Sequence, residues 1–119
     1  MGRKIKYRFS GKTKDGKSVV AGCFTMYDST GMPLPVMFTL ISLQGWVPDI
    51  VYFYECAKNA GWKEKTIYSR LEEACLDGFN KKYWHEVKER LDFYIKFMSS
   101  SELQKENPKL YTRYKNKYD

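Results

Sequence analysis

The residues of this chain whose types suggest a chemical role are basic, and they concentrate near the N-terminus. Residues 1–20 carry seven lysines and arginines against the single acid Asp15. The formal net charge of the whole chain is +7, so most of the excess lies in this segment. A local positive field of this kind attracts phosphate groups or an acidic protein. The candidate phosphate contacts are Lys4, Lys6, Arg8, Lys12, Lys14 and Lys17.

These bases alternate with apolar residues, which predicts a β-hairpin over residues 4–26. The run KIKYRF at 4–9 has a period of two, so its apolar residues share one face and its bases share the other. Asp15 and Gly16 suit a tight turn, and the return strand is expected at about 18–26. The residues expected to face the core are Ile5, Tyr7, Phe9, Val20, Phe24 and Met26.

A second group of candidates lies in residues 57–74, where the spacing predicts two helices joined by a turn. Ala57 is small enough to let the second helix approach the first, and Gly61 suits the turn. Ile67 and Leu71, four residues apart, would bury one face of the second helix.

This pattern resembles the helix-turn-helix of bacterial and phage DNA-binding proteins over residues 57–74. The resemblance implies that the second helix lies in the major groove and that its early residues contact base edges. The residues that correspond to those reading positions are Lys63, Lys65, Thr66, Ser69 and Arg70.

The same spacing also fits an ordinary pair of packed helices that is interrupted by a glycine. Trp62 stands where a helix-turn-helix often has Ser or Thr. Glu64, Glu72 and Glu73 place negative charge on the second helix, which is unfavourable beside phosphates. Both interpretations remain open from the sequence.

No arrangement typical of catalysis or metal binding is visible in the sequence. The chain has one histidine, His85, and its three cysteines, Cys23, Cys56 and Cys75, are far apart. A tetrahedral zinc site needs four nitrogen or sulfur ligands held close together. Glycine-rich phosphate loops and nucleophile motifs are also missing. We therefore expect a protein that is not an enzyme and that has no metal and no cofactor.

Cysteine usage and hydropathy predict a cytoplasmic protein with free thiols. The N-terminal residues lack the apolar segment of a signal peptide. The longest apolar run, at 32–43, is too short and too interrupted by prolines to cross a bilayer. We therefore expect no membrane association.

The predicted fold class is α+β, with the antiparallel hairpin packed on a bundle of about four helices. Apolar spacing places the helices at about 33–43, 49–60, 63–76 and 80–98. Asp49 and Asn80 are expected N-caps. The expected organisation is a single domain, 1–98, followed by a polar tail, 99–119.

These features predict a small non-enzymatic nucleic-acid-binding accessory protein, with DNA favoured over RNA. It would contact phosphate through the basic hairpin, with the helix at 63–76 as a second contact. In type, though not in motif, the chain resembles small accessory proteins of phages. A sequence-specific reader of this kind would be a homodimer that binds two half-sites. The expected dimer elements are the tail and an apolar strip formed by Phe93, Tyr94 and Phe97.

The alternative is a phage-type inhibitor that binds a host defence or transcription protein, one that is acidic or presents a nucleic-acid-shaped groove. Exposed aromatic residues anchor many such interfaces. The candidate anchors near helix ends and turns are Trp46, Tyr52, Tyr54 and Trp62.

Overall fold

A computed structural model describes residues 7–118 of the chain, with side chains for residues 7–116. This part has the predicted α+β architecture: a three-stranded sheet near the N-terminus and seven helices. The strands are β1 (Arg8–Lys12), β2 (Ser18–Ala21) and β3 (Val47–Pro48). The helices are α1 (Cys23–Thr30), α2 (Leu34–Leu43), α3 (Ile50–Asn59), α4 (Glu64–Gly78), α5 (Lys81–Ser99), α6 (Ser101–Glu106) and α7 (Pro108–Tyr118).

The sheet has the order β1-β2-β3, with β2 in the centre. β1 and β2 pair antiparallel around the predicted turn at Asp15 and Gly16, and β2 pairs parallel with β3. The register of β1 shifts between Phe9 and Gly11, so Ser10 is an extra residue in a β-bulge. A bulge of this kind bends the strand and changes the direction of nearby side chains.

That bulge lies next to a residue whose predicted burial is wrong. Phe9 was expected in the core, but 47% of its surface is exposed and its ring packs edge-on against Trp46 at 4.9 Å. Tyr7 is half-buried against the same tryptophan at 5.3 Å. Ile5 lies outside the described residues.

The predicted return strand at 18–26 is too long, because β2 ends at Ala21 and α1 begins at Cys23. Phe24 and Tyr27 are three residues apart, and both contact the ring of Trp62, at 5.3 and 5.9 Å. Helical spacing brings both rings to this tryptophan, whereas an alternating strand would direct them to opposite faces.

The four predicted helices at 33–43, 49–60, 63–76 and 80–98 correspond to α2, α3, α4 and α5. Both predicted N-caps are confirmed. The Asp49 carboxylate accepts a hydrogen bond from the Tyr52 amide at 3.2 Å, and the Asn80 side chain accepts one from the Tyr83 amide at 2.8 Å.

The core is centred on the contact between α2 and α4, the most extensive between any two helices of the described chain. Phe38 of α2 and Leu71 of α4 are fully buried. The two helices approach so closely at Gly78 that a Cβ atom there would lie 2.7 Å from the Phe38 Cβ atom. This contact fixes α4 and the segment that leads into α5.

The residues expected to form a polar tail fold instead into α6 and α7 as far as they are described. The Ser100 hydroxyl accepts a hydrogen bond from the Leu103 amide at 3.3 Å and caps α6. Tyr114 of α7 packs against Tyr94 at 4.9 Å and Phe97 at 5.8 Å. The contact with α5 explains why this polar segment is ordered.

Candidate nucleic-acid interface

The turn between β1 and β2 presents three exposed lysines, Lys12, Lys14 and Lys17. Thr13 organises this turn. Its amide donates to the Lys17 carbonyl oxygen at 2.8 Å, and its hydroxyl oxygen accepts from the Lys17 amide at 3.0 Å. These hydrogen bonds hold the backbone that carries the lysines in a defined shape.

The first half of α5 presents a second charged row. Lys82, Glu86 and Arg90 are spaced by four residues, which places them on one face of the helix. All three are exposed, and the helix begins at the Asn80 cap that precedes them. Two cations therefore stand on this face with one carboxylate between them.

The hairpin turn and α5 both line an open groove of about 800 Å³. The lysines of the hairpin, and Lys82 and Arg90 of α5, are among its lining residues. Asp15 and Glu86 are the two acids that line it. The groove-lining cations therefore outnumber the acids. We call this site the hairpin–α5 groove; its lining residues are Lys12, Thr13, Lys14, Asp15, Lys17, Val19, Val47, Phe79, Asn80, Lys82, Tyr83, Glu86 and Arg90.

Asp15 offsets one of the positive charges of the turn, and its carboxylate accepts a hydrogen bond from the Thr13 hydroxyl. That hydrogen bond, with help from the charge of Lys17, holds the pKa of Asp15 below its usual range. The carboxylate is therefore ionised at neutral pH. Its hydrogen bond directs it towards the turn itself.

Aromatic and apolar side chains complete the groove. Phe79 and Tyr83 stack with centroids 4.3 Å apart and an interplanar angle of 26°. Val19 and Val47, paired in the sheet, add aliphatic surface. The Tyr83 hydroxyl is buried without a hydrogen-bond partner among the described residues. Burial raises the pKa of Tyr83 well above its ordinary value, so the ring remains neutral.

Of the predicted phosphate contacts in the hairpin, Lys12, Lys14 and Lys17 are brought together in this groove. Arg8 is exposed but does not line it, because it lies at the far end of β1 beside Gly22. Lys4 and Lys6 lie outside the described residues.

Sequence reasoning missed the contribution of α5. Neither Lys82 nor Arg90 was named from the sequence as a candidate phosphate contact. Their spacing with Glu86 was a usable signal for a shared face. Their position in one groove with the hairpin turn depends on tertiary packing, which that spacing does not encode.

The segment that resembles a helix-turn-helix forms α3, a short turn and α4. Ala57, Ile67 and Leu71 are fully buried, as the spacing predicted. Gly61 has φ 93°, a left-handed conformation that favours glycine. The amide of Trp62 donates to the Ala57 carbonyl oxygen at 3.0 Å and closes the end of α3. These contacts are compatible with both a reading helix and a simple packed helix pair.

The candidate reading residues on this segment, Lys63, Lys65, Thr66, Ser69 and Arg70, are exposed. None of them lines the hairpin–α5 groove. The chain thus carries two separate candidate surfaces, the groove and the exposed face of α4. Glu64, at the start of α4, accepts a hydrogen bond from the Tyr54 hydroxyl at 3.0 Å.

Two sets of aromatic residues differ from their predicted exposure. Tyr54 is buried, and the other proposed anchors, Trp46, Tyr52 and Trp62, are half-buried. In the expected dimer strip, Phe93 is exposed, but Tyr94 and Phe97 are buried. Tyr114 of α7 packs on both of those buried rings, so α7 occupies the position assigned to a second copy.

Cys23 and Cys75 are buried thiols, whereas Cys56 is half-buried. Burial raises the pKa of Cys23 and of Cys75 to about 12, so both are protonated at neutral pH. Within residues 7–118, no cluster of three or more histidine, cysteine or acidic side chains could hold a metal ion. No helix in that same range is both long and apolar enough to cross a membrane.

Comparison of the chain with protein-family models, with curated proteins and with solved structures found no match.

Proposed function

We propose that this chain is a small non-enzymatic nucleic-acid-binding accessory protein. The observation that carries the proposal is the hairpin–α5 groove, where cations of two distant chain segments converge. Lys17 and Lys82 are far apart in the sequence yet line the same groove. A surface that is only solvated does not require its cations to be gathered in one groove. A polyanionic ligand, in contrast, is attracted by cations that lie close together.

Phosphate contacts supply most of the affinity in this proposal. Each lysine or arginine that neutralises a phosphate releases a condensed counterion, so affinity falls steeply as salt rises. Lys12, Lys14 and Lys17 would act together with Lys82 and Arg90. Arg8, at the start of β1, would extend the contact, and Lys4 and Lys6 are further proposed phosphate contacts.

The exposed face of α4 is a second contact surface in the same proposal. Lys63, Lys65 and Arg70 carry positive charge there, and Ser69 offers a hydroxyl. If α4 entered the major groove of duplex DNA, these residues would reach the base edges. The homodimer needed for two half-sites belongs to this part of the proposal.

The proposal is tested by reversing the charge of the turn. The Lys12→Glu, Lys14→Glu, Lys17→Glu triple variant should lose most binding to labelled DNA and RNA oligonucleotides, measured by fluorescence anisotropy. The matched control reverses Lys58, Lys88 and Lys109, which are exposed and do not line the groove. Both triple variants have the same net charge, so only the position of the charges differs.

Binding lost equally in both variants would mean that net charge alone is responsible and would overturn the assignment to the groove. Binding unchanged in the turn variant would have the same consequence. Circular dichroism establishes that each variant is folded. A wild-type protein that binds neither DNA nor RNA at low salt would refute the function itself.

A second candidate function, inhibition of a host protein by direct binding, is favoured by α2. Val36, Leu40 and Leu43 are exposed and follow the spacing of one helical face. No charged residue occurs from Ser29 to Pro48. This uncharged apolar strip suits a protein surface rather than a phosphate backbone.

A pull-down from nuclease-treated lysate separates the two candidates. A protein partner that survives nuclease and is lost from the Leu40→Glu, Leu43→Glu variant supports inhibition. If the Lys12, Lys14, Lys17 triple variant still binds this partner, the binding site is on α2 rather than in the groove. Loss of every partner after nuclease treatment favours nucleic-acid binding.

A further inference from the structure

The hairpin–α5 groove is concave and small, which constrains the form of nucleic acid that it can hold. Its volume of about 800 Å³ lies within the range of clefts that enclose small molecules, roughly 300–1,000 Å³. Duplex DNA is usually read in the opposite way, because a protruding helix or ribbon enters the DNA groove. A cleft of this kind receives the ligand, which suits one flexible strand better than a rigid duplex.

The charges of the groove suit a strand that lies along it. Lys14 and Lys17 of the hairpin and Lys82 and Arg90 of α5 all line it. A single backbone in the groove can therefore be neutralised by cations from both elements. In a duplex the two backbones lie on the outside, and only one of them could reach this groove.

The apolar part of the lining suits unpaired bases. Phe79 and Tyr83 are both partly exposed, and both line the groove beside its cations. Aromatic rings within a basic groove are the usual means of holding single strands, because every base has a face that can stack. Paired bases in a duplex have no such free face except at its ends.

These rings are held in position before any ligand arrives. Phe79 packs edge-on against Phe38 of the core at 6.2 Å and stacks on Tyr83. The hydroxyl end of Tyr83 is buried, so packing restricts the movement of that side chain. Rings that are already ordered lose little entropy on binding, which favours affinity.

We propose that the hairpin–α5 groove binds unpaired nucleotides of a single-stranded nucleic acid. The cations hold the phosphodiester backbone, and Phe79 with Tyr83 offers a surface on which a base stacks. This inference rests on the proposed function and narrows it from nucleic acid in general to the single-stranded form. The phosphodiester and base chemistry is common to DNA and RNA, so the strand can come from either.

The test compares the binding of four labelled probes of equal length to the full chain, by fluorescence anisotropy at one salt concentration. They are oligothymidylate, an abasic oligonucleotide with the same phosphates, a blunt duplex, and oligouridylate, which distinguishes RNA from DNA. Tighter binding of oligothymidylate or oligouridylate than of both abasic strand and duplex is expected. Stacking of one base corresponds to about a tenfold difference from the abasic strand.

Two variants assign that preference to the groove. Phe79→Leu keeps apolar volume but removes the ring, so it should weaken oligothymidylate binding towards the abasic level and leave abasic binding unchanged. The double variant Lys82→Gln, Arg90→Gln should weaken the binding of every probe. Because Lys82 and Arg90 are exposed, this variant stays informative even if Phe79→Leu is unstable.

Equal or tighter binding of the duplex would overturn the single-strand inference and leave the proposed function standing. Equal binding of oligothymidylate and abasic strand would overturn it in the same way, since phosphate contact alone would then be sufficient. Failure of every probe to bind would refute the proposed function instead.

Discussion

The Ser10 hydroxyl donates a hydrogen bond to the Oδ2 atom of Asp49 at 2.7 Å. Ser10 is the extra residue of the bulge in β1, and Asp49 is the buried residue that caps α3. One carboxylate therefore connects the basic hairpin to the helical core. The pairing of β2 with β3 and the hydrogen bond from the Asp49 amide to the Val20 carbonyl oxygen at 2.8 Å also hold the hairpin on this core.

We expect the two residues to be coupled in stability. Ser10→Ala should lower the free energy of unfolding by about 1–2 kcal/mol, because a partly buried carboxylate loses a donor. Asp49→Ala should cost about 1 kcal/mol more, since the α3 cap is lost as well. The double variant should be no less stable than Asp49→Ala alone. Urea denaturation measures these differences, and simple additivity would contradict a direct interaction.

Phe9 and Phe53 should differ strongly in their contribution to stability. Phe9 is about half exposed and packs edge-on against one tryptophan, so Phe9→Ala should cost about 1 kcal/mol. Phe53 is 2% exposed, and Phe53→Ala should cost about 3–5 kcal/mol because a cavity remains. Thermal denaturation measures both losses of stability. If Phe9→Ala and Phe53→Ala lose the same stability, the Phe9 ring is buried in solution.

The N-terminal strand illustrates how far the sequence could predict the fold. The predicted hairpin is confirmed around its turn at Asp15 and Gly16. The alternating run at 4–9 overlaps β1 only at Arg8 and Phe9, and residues 4–6 lie outside the described part of the chain. The bulge at Ser10 was not predictable from that alternation, because it is stabilised by Asp49, which lies far away in the chain. Burial of Phe9 was therefore the part of the prediction that failed.

The candidate groove was predictable only in part for a similar reason. The lysines of the turn stood out by their concentration, whereas Lys82 and Arg90 occur among the mixed charges of an amphipathic helix. Their contribution depends on how α5 packs beside the turn. The last helices were missed because their order comes from contacts such as that between Tyr114 and Tyr94, not from a strong local pattern.

Gly78→Ala should destabilise the protein, which reverses the usual effect of replacing glycine by alanine in a helix. The added methyl group would lie 2.8 Å from the backbone carbon of Phe38 and from the amide nitrogen of Thr39. Backbone atoms cannot move aside without separating α2 from α4, so we expect a loss of about 1–3 kcal/mol. Asp77→Ala, at the exposed neighbouring position, is the control and should have little effect. A Gly78→Ala variant as stable as wild type would contradict the close approach.

Stability should fall as the pH rises above about 10, the ordinary pKa of tyrosine. Burial, followed by the hydrogen bond to Glu64, raises the pKa of Tyr54 to about 12. Burial also raises the pKa of Tyr94, whose hydroxyl donates to Glu55 at 2.8 Å. The unfolded chain therefore loses these protons at lower pH than the folded one, and stability declines between the two values. No pH-dependent loss follows from these groups below the unfolded value.

Denaturation midpoints measured from neutral pH to above pH 10 test for this alkaline decline in stability. The absorbance of tyrosine follows its ionisation over the same range. Tyr111 is the matched control, because it is partly exposed on α7 and outside the core cluster. Tyr54→Phe should make the alkaline decline shallower than Tyr111→Phe does. Identical pH profiles for the two variants would exclude Tyr54 as a contributor.

The exposed face of α4 gives the final prediction, which separates a reading helix from a packed one. Ser69 and Arg70 are exposed, but Glu72 and Glu73 on the same helix disfavour close approach to phosphates. We expect Arg70→Ala to leave any preference among duplex sequences unchanged, and Lys12→Ala to weaken all nucleic acids alike. Binding to a randomised duplex library, selected with wild type and with each variant, measures this. A loss of about 1–3 kcal/mol of discrimination at one base pair in Arg70→Ala would instead place α4 in the major groove. The protein should then bind as a dimer, because a single short helix makes too few base contacts for useful specificity.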